Sequence, residues 1–514
     1  MKTLTKSKVH DKIFLVDDLA NKVQEMQRRG QKVVQSHGIF DLIHPGVIAH
    51  LNSAKKQGDI LIVTVIKDKD VRKGPGRPIF PDKLRLENVA SLEQVDYVSL
   101  VEDEPPFDCV QLIKPDIFAR GQTFSERDRH IHVQLFQEKG EIYFGKSKVH
   151  ETQGFTMSSS HIVKEFLDIY PEDTKKFLSG FSRKYRFSDI VRAIELLKDL
   201  KVLLIGDGII DEYYYCLPMG RAAKSPIVVQ KYISHEVFSG GAFAIANHLS
   251  SICDNVHLIS LLGREDSKEN FIYSCMKSNV KTKFFFREGS PAIVKRRYID
   301  QYRNQKLFEV DYVNDGYISN HLESEIIKYL KSTMMSYDIV LVSDFGHGLI
   351  TKRIIDTIER SSVRYAVNTQ TNGANAGYNM ITKYHNPTFV CLDEPEVRLA
   401  AQEKFADIKD VARKVAQKIN SDYLIVTLGR KGSIGLSKRG EIVRTPIFST
   451  KVIDTVGAGD AFFAYTVPCV ARNMPLDLVS FIGNAVGALA VQIVCNKKPV
   501  EKFELMEFIH ALLK

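Results

Sequence analysis

A glycine-rich stretch near the C-terminus constrains the fold of this chain more than any other feature. Residues 454–464 read DTVGAGDAFFA, so two glycines stand just before an apolar, helix-compatible run. Because Gly457, Ala458 and Gly459 have small side chains or none, the backbone N–H groups of a helix start can approach an anion there, and the helix dipole favours negative charge. The stretch therefore predicts a phosphate site at a helix N-terminus.

Asp460 follows this glycine turn in the first turn of the predicted helix. Beside a transferring phosphoryl group, a carboxylate in that position can take the proton from an attacking hydroxyl. The alternative is an ordinary glycine turn with an aspartate cap. For Gly-x-Gly-Asp alone the two interpretations are equally favoured, since short glycine motifs recur by chance.

The longer string resembles the signature of the ribokinase-like (PfkB) carbohydrate kinases. That resemblance implies that Asp460 is the catalytic base and that Gly457, Ala458 and Gly459 form the anion hole. Other stretches match the family in chain order: a first strand at 201–207, a sugar-side double glycine at 239–242, a central strand with its loop at 338–348, and a nucleotide-side turn at 427–432.

The resemblance also implies residues for both substrates of such a kinase. The expected acceptor side comprises Asp207, Asp211, Gly240 and Gly241. ATP is expected beside Thr427, Gly429, Gly432 and Asn484, with Mg²⁺ bridging its phosphates. One position departs from the heptose-phosphate kinases of this family, because Asn368-Thr-Gln370 stands where those enzymes have Asp-Pro-Lys. This departure leaves the identity of the substrate open.

Residues 212–218, 227–232, 283–286 and 295–299 predict the strands of a small sheet. In the kinases that the chain resembles, such strands form a lid over the sugar and can pair with a second subunit, so a homo-oligomer through the lid is expected. The alternative is a peripheral hairpin. Lys224, Arg296 and Arg303 would suit an acceptor that carries a phosphate, although each could equally be a solvated surface charge.

The first segment contains a β-α-β pattern. A strand at 32–36 is followed by a strand-to-helix junction with two histidines, His37 and His44, and by a second strand at 59–66. Such units build parallel sheets, and ligands bind outside the carboxyl ends of their strands. Both histidines are therefore candidates for a ligand site.

This segment resembles the nucleotidyltransferases of the glycerol-3-phosphate cytidylyltransferase type, and the adenylyltransferase half of the bifunctional heptose-phosphate enzymes. The resemblance implies catalysis by His44, with ATP or CTP as the nucleotide. The nucleotide-binding residues that it implies are Gly38, Phe40, His37, Arg85, Ser158, Ser159 and Ser160.

The H-x-G-H motif of those enzymes is altered here to His44-Pro-Gly-Val47. Valine neither donates a hydrogen bond nor carries charge, so one group that stabilises the reacting phosphate is missing. His50 lies about one helical turn further on, roughly 4.5 Å along the axis, and is not expected to substitute. Losing one such donor costs on the order of 100- to 1,000-fold in rate.

Composition restricts the class of protein. Lysine and arginine outnumber aspartate and glutamate by 71 to 62, which suits anionic small molecules, but no long basic run with interleaved aromatics predicts nucleic-acid binding. The seven cysteines are scattered without C-x-x-C pairs, which indicates a reducing compartment. No apolar run approaches the ~18 residues of a membrane span. A cytoplasmic protein without membrane association is expected.

The predicted fold class is α/β throughout, with the two domains in the reverse order of the bifunctional heptose-phosphate enzymes. Residues 1–165 form a Rossmann-like nucleotidyltransferase-like domain, 166–199 a structured connector, and 200–514 a ribokinase-like doubly wound domain with a small β lid. The expected function is ATP-dependent phosphorylation of a sugar or sugar phosphate, on the way to a nucleotide-activated sugar. The alternative is a working kinase whose first domain only binds nucleotide or acts as a scaffold.

Overall fold

The computed structural model describes residues 9–71, 77–102, 107–121, 147–152, 170–373, 375–449 and 451–513. The chain divides into two compact units. The first comprises residues 1–175, 186–188 and 510–514, and the second comprises residues 176–185 and 189–509. Across the described ranges, every helix is too short or too polar to cross a membrane.

The first unit is built on a parallel six-stranded sheet with the strand order β1-β4-β3-β2-β5-β6. Its central strand β3 is an almost continuously buried apolar run, as expected of a parallel strand covered on both faces. The predicted Rossmann-like α/β fold is confirmed. The strands are β1 (Ile13–Phe14), β2 (Val33–Gly38), β3 (Ile60–Ile66), β4 (Tyr97–Val101), β5 (Ile117–Gly121) and β6 (Lys148–Thr152).

The described helices of the first unit begin with α1, which buries one apolar stripe. Leu19, Ala20, Val23 and Met26 lie on that stripe at helical spacing and pack against the sheet. Gly30 adopts a positive φ of 79° just beyond the end of the helix, as a chain leaving a helix often does. These helices are α1 (Val16–Arg28), α2 (Pro45–Lys55), α3 (Asp82–Ala90) and α4 (Phe107–Ile113).

The second unit contains a nine-stranded sheet in the order β11-β10-β7-β14-β15-β16-β17-β18-β19. Neighbours from β11 to β17 are parallel, and β18 and β19 extend the sheet antiparallel. The predicted doubly wound α/β fold is therefore confirmed. The strands are β7 (Lys201–Gly206), β10 (Asn255–Glu265), β11 (Val280–Pro291), β14 (Ile339–Asp344), β15 (Tyr365–Thr369), β16 (Phe389–Asp393), β17 (Tyr423–Thr427), β18 (Ser433–Ser437) and β19 (Ile442–Thr445).

The helices of the second unit flank this sheet and bury their apolar faces against it. One large cluster of buried apolar side chains joins the central strands to the helices between residues 318 and 419. The helices are α7 (Ala242–Leu249), α8 (Glu269–Cys275), α9 (Asn320–Thr333), α10 (Lys352–Glu359), α11 (Glu394–Ala401), α12 (Ile408–Ile419), α13 (Ala458–Ala471), α14 (Leu476–Ala490) and α15 (Lys502–Leu513).

A separate four-stranded sheet, here called the lid, has the order β13-β12-β8-β9. Its outermost strand β13 is exposed along its whole length. Residues 283–286, predicted to join this small sheet, instead lie in edge strand β11 of the main sheet, because Phe284 and Phe285 are buried there. The lid strands are β8 (Gly208–Arg221), β9 (Val228–Gly241), β12 (Val294–Asp300) and β13 (Gln305–Tyr312).

Residues 166–199 were expected to form a structured connector, and their described part contains the helices α5 (Glu172–Lys184) and α6 (Phe187–Glu195). Within the second unit, Phe181 of α5 stacks on Phe481 with ring centroids 4.1 Å apart. Phe177, one turn earlier, lies 6.0 Å from Phe448. The part of α5 from residue 176 onward is therefore packed within the second unit.

Candidate active site

A cavity of about 990 Å³ opens at the carboxyl ends of strands β15, β16 and β17 in the second unit. This is the edge at which open α/β sheets bind ligands. Lid residues line one part of the cavity, and the turn after β17 lines another. The cavity thus offers two neighbouring regions, which we call the lid side and the turn side.

The glycine turn forms the N-terminus of α13 between these two regions. Gly457 is the N-cap residue with a φ of +84°, and a Cβ placed on it would meet Oδ1 of Asn496 at 2.0 Å. No atom lies within 4 Å of a Cβ placed on Gly459, which therefore faces open space. With Ala458, both glycines line the cavity. The first amides of a 14-residue helix are thus accessible to an anion.

Asp460 lies in the first turn of α13, lines the cavity and is 7% exposed. Gln370 donates a hydrogen bond from Nε2 to Oδ1 of Asp460 over 2.7 Å. Burial and the neighbouring Asp211 raise the pKa of Asp460 to about 7, while the Gln370 hydrogen bond and Lys295 act in the opposite direction. A carboxylate with a pKa near neutrality can both accept and release a proton at physiological pH.

The lid side carries two cations that differ in their partners. Arg297 forms an ion pair with Asp211 and a second one, 2.6 Å long, with Glu309. Lys295 is 8% exposed and lines the same cavity, and it has no hydrogen-bond or ion-pair partner among the described residues. Because its side chain lines the cavity without such a partner, Lys295 is available to an anionic ligand.

The lid cations expected from the sequence lie elsewhere. Lys224 and Arg303 occupy exposed turns between lid strands. Arg296 points away from the cavity lining, donates to Glu212 over 2.7 Å and lies over the rings of Tyr214 and Tyr312. Lys295 and Arg297 share one face of β12 and line the cavity, and Arg296 lies on the other face, as the two-residue period of a strand requires. The alternation of residues along the strand was the signal in the sequence for this difference.

The other expected acceptor residues are only partly brought together. Asp211 and Gly241 line the cavity. Gly240 lies behind Asp211, and a Cβ there would meet Oδ2 of that aspartate at 2.0 Å. Asp207 is fully buried and accepts hydrogen bonds from the backbone N–H groups of Phe345 and His347, so it is a support for that loop rather than a cavity residue. Burial and nearby Asp344 raise the pKa of Asp207 to about 7.

The expected nucleotide residues lie together on the turn side. Thr427, Gly429, Gly432 and Asn484 all line the cavity. Asn484 donates through Nδ2 to Oγ of Ser433, 2.7 Å away, and to a carbonyl of its own helix, which fixes its amide against β18. The turn side of the cavity is therefore lined by residues from the end of β17 to the middle of α14.

Three carboxylates at the end of β16, those of Asp393, Glu394 and Glu396, line the cavity and were missed in the sequence. Asp393 caps α11 and forms a reciprocal capping box with Glu396. Burial and the adjacent Asp393 raise the pKa of Glu396 to about 8. The D-x-x-E spacing directly after a buried strand was the signal in the sequence for this capping box.

The donors in this region suit a hard cation such as Mg²⁺, which takes carboxylate oxygens together with phosphate oxygens and water. Among the described residues, no group of three or more histidine, cysteine, aspartate or glutamate side chains could by itself hold a metal ion. The set of Asp393 and Glu396 therefore fits an ion that is coordinated largely by the phosphates of a nucleotide.

In the first unit, β2 ends at His37 and Gly38, and Phe40 follows with a φ of +51°. His44 caps α2 and accepts a hydrogen bond at Nδ1 from the N–H of Gly46, 3.2 Å away. Burial, and then the charge of Arg77, lower the pKa of His44, so the ring is neutral at physiological pH. His44 lies at the carboxyl end of the sheet, as the sequence predicts.

Val47 and His50 have packing roles. Val47 packs against the apolar core of the first unit. His50 bridges Oγ of Ser36 at 2.7 Å and Oγ1 of Thr152 at 2.6 Å, linking α2 to two strands, and burial lowers its pKa to about 4. Because both ring nitrogens are engaged, His50 does not replace the missing histidine.

Arg85 was expected to bind nucleotide, and the structure places it inside the first unit, away from solvent. Its side chain is fully buried and donates to the carbonyls of Phe80, Ile39 and Ile66 and to Asp68. A guanidinium committed to these acceptors holds loops together and is not exposed to a phosphate. Ser158, Ser159 and Ser160 lie outside the described residues.

Comparison with known proteins agrees with this arrangement. A family model described as cytidylyltransferase-like matches residues 36–165. The bifunctional protein HldE of Trichlorobacter lovleyi is 24% identical over 296 residues, covering 57% of this chain and 59% of that protein. HldE of Methylobacillus flagellatus is 36% identical over 118 residues, 23% of this chain and 24% of that protein. The chain thus spans less than two thirds of the length of these curated relatives.

Solved structures give the same fold for the second unit. Phosphofructokinase-2 from Escherichia coli, crystallised with substrates and products, has a TM-score of 0.50 and 13% identity, covering 61% of this chain and all of that one. The model of the pfkB family carbohydrate kinases matches residues 201–496, more than half of the chain. The chain therefore belongs to the pfkB family of carbohydrate kinases and carries a cytidylyltransferase-like region ahead of the kinase.

Proposed function

We propose that the second unit transfers the γ-phosphoryl group of ATP to a hydroxyl of a sugar or sugar phosphate. The observation that carries the proposal is the position of Asp460, which lies in a cavity beside the exposed amides of Gly457 to Gly459. A base and an anion hole within one helical turn are the two groups that this reaction requires of the protein.

Each part of the cavity has a role in this reaction. ATP lies along the turn side, with its phosphates directed to the N-terminus of α13. The acceptor lies on the lid side, where the carboxylates of Asp211 and Glu309 accept hydrogen bonds from hydroxyls and Lys295 attracts negative charge. Asp460 removes the proton from the acceptor hydroxyl. The hydroxyl oxygen bonds to the γ-phosphorus, and the bond from that phosphorus to ADP breaks.

Bound together with the nucleotide, Mg²⁺ would neutralise charge on its phosphates. Asp393 and Glu396 are the residues that would hold it, because both line the cavity at the end of β16, whereas Glu394 beside them is paired with Arg398. Their capping box keeps both side chains on one side of α11.

For the first unit we propose binding of ATP or CTP with little or no transfer activity, so that it serves as a nucleotide-binding or scaffolding module. Two observations favour this over an active nucleotidyltransferase: the apolar Val47 packs against the core where a second histidine was expected, and both nitrogens of His50 are engaged. An active first unit would instead pass the phosphorylated sugar on to a nucleotide-activated form.

We further propose that the protein acts in the cytoplasm as a homo-oligomer paired through the lid. Exposed apolar side chains on the lid, among them Phe308, Val310 and Tyr312 of β13, support this pairing. An open strand edge with apolar side chains is a ready surface for pairing with a second sheet.

The test is a screen of the full-length protein with ATP and Mg²⁺ against free and phosphorylated hexoses and heptoses, followed by ³¹P NMR of the products. The matched control is Asp460→Asn, which removes the base but keeps the shape of the side chain. We expect a phosphorylated product with the natural protein and a loss of at least about 100-fold in the variant, with ATP binding retained. Equal turnover by both proteins would exclude Asp460 as the base.

A further inference from the structure

Asp460 is held by a neutral amide. Gln370 bonds Oδ1 of Asp460, and no other side chain among the described residues hydrogen-bonds this carboxylate. Oδ2 therefore remains as the oxygen available to an acceptor. Gln370 itself lines the cavity and is partly exposed, so its side chain depends on its backbone for a fixed position.

That backbone is anchored on two sides. The N–H of Gln370 donates to the carbonyl of Asp344, 2.9 Å away, and the carbonyl of Gln370 accepts from Nδ2 of Asn379 at 3.2 Å. Asn379 also donates to the Asp344 carbonyl and accepts from Lys383, which forms a 2.6 Å ion pair with the buried Asp344 carboxylate. The backbone of Gln370 is thus fixed by a network of hydrogen bonds and one ion pair at the ends of β14 and β15.

Other groups also act on Asp460. Asp211 of β8 opposes ionisation and Lys295 of β12 favours it. Cys391 of β16 lies close enough to be influenced by the Asp460 charge. A donor to a carboxylate favours its ionised form. An amide does so without adding a charge, whereas a lysine at this position would favour ionisation more strongly.

We propose that Gln370 is a positioning residue, which fixes Oδ1 of Asp460, directs Oδ2 toward the acceptor hydroxyl and sets the pH range in which the base is ionised. The inference rests on the kinase function proposed above. It gives a chemical consequence to the difference between Asn368-Thr-Gln370 and the Asp-Pro-Lys of the heptose-phosphate kinases. In this chain the proposed base is oriented by an uncharged donor.

The test compares Gln370→Leu, which keeps the approximate size but removes the donor, with Gln370→Lys, which adds a charge. We expect the acidic limb of the kcat–pH profile to move up by about one pH unit in the leucine variant and down in the lysine variant, since a hydrogen bond to a charged group is worth about that much. Plateau kcat should fall about 10-fold in the leucine variant, with ATP affinity unchanged. Unchanged profiles in both variants would overturn the proposal.

A second readout does not require an acceptor. The carboxyl ¹³C resonance of Asp460, assigned by its absence in Asp460→Asn, can be titrated in the full-length protein. We expect the same two opposite shifts in its midpoint. If these shifts occur but no acceptor is phosphorylated, the pH-setting role of Gln370 stands and the kinase function fails. If activity falls while the midpoint stays constant in both variants, Gln370 acts only by filling space, and the proposal is wrong.

Discussion

Tyr213 donates its hydroxyl to Oδ2 of Asp454 over 2.7 Å, which joins the lid to the segment that leads into the glycine turn. Lys306 of the lid binds the other carboxylate oxygen at the same distance. Although burial acts to raise it, the pKa of Asp454 is lowered, because Lys306 and Tyr213 hydrogen-bond the carboxylate. The position of the lid and the position of the anion hole are therefore coupled through one aspartate.

Tyr213→Phe should weaken this coupling. The change removes one of the two donors to Oδ2 of Asp454, the N–H of Cys495 remaining at 3.1 Å, so we expect a loss of about 1–3 kcal/mol in the free energy of unfolding of the second unit and a higher KM for the acceptor. Thermal unfolding and steady-state kinetics measure both. Tyr215→Phe is the matched control, because Tyr215 forms a hydrogen bond of the same length to Glu236 within the lid. Equal kinetic effects of the two variants would contradict the coupling.

Lys295→Met should affect acceptors according to their charge. Since Lys295 is the unpaired cation of the lid side, we expect its removal to raise KM for a phosphorylated acceptor by about 10-fold or more and to change KM for a free sugar little. Arg303→Ala is the control, because Arg303 is exposed and lies outside the cavity lining. A rise in KM in the Arg303 variant alone would reverse this assignment.

Val47→His restores the missing phosphate-stabilising group in the first unit. We expect very slow release of pyrophosphate from CTP or ATP with sugar 1-phosphates in the natural protein, and an increase on the order of 100-fold in the variant. Nucleotide binding, measured by calorimetry, should be present in both proteins. Brisk turnover by the natural protein would mean that another group has taken the role, and no gain despite binding would favour a module that only binds.

His50 should make the first unit sensitive to acid. Burial, with a smaller effect of His150, lowers its pKa from 6.5 to about 4, so between these pH values the unfolded chain binds a proton that the folded chain does not. Above pH 6.5 His50 therefore does not make the stability of the first unit depend on pH. As the pH drops from 6.5 toward 4, the free energy of unfolding falls by about 3 kcal/mol.

Hydrogen exchange of peptides from β2 and β6 measures this effect locally. We expect protection to decrease from pH 6.5 to 4 after correction for intrinsic exchange rates. His50→Gln should be less stable at pH 7, because it loses well-placed hydrogen bonds, but its protection should depend less on pH in this window. Parallel pH dependence in both proteins would show that His50 is not the responsible group.

The sequence predicted the position of site residues best where the same residues are needed for the chemistry and for the shape of the backbone. The glycine turn, Asp460 and the nucleotide residues near Thr427 lie in one cavity as predicted, because small residues and strand ends restrict what can surround them. The burial of Arg85 was not visible in the sequence, because a charged residue looks exposed there and two of its carbonyl partners, Ile39 and Ile66, lie 46 and 19 positions away. The sequence showed Gln370 only as a difference from the heptose-phosphate kinases. Its contact with Asp460 could not be predicted, since the two residues are 90 positions apart in the chain.

The stacking of Phe177 and Phe181 has a practical consequence for dissecting the chain. Phe448 lines the cavity, and Phe177 of α5 lies against it from behind. A fragment starting at residue 201, where the family match begins, would leave Phe448 and Phe481 uncovered and expose aromatic surface next to the turn side of the cavity. A fragment that keeps residues from 176 onward retains this cover, so we expect a stable kinase fragment to begin about two helices before the residues that the family model matches.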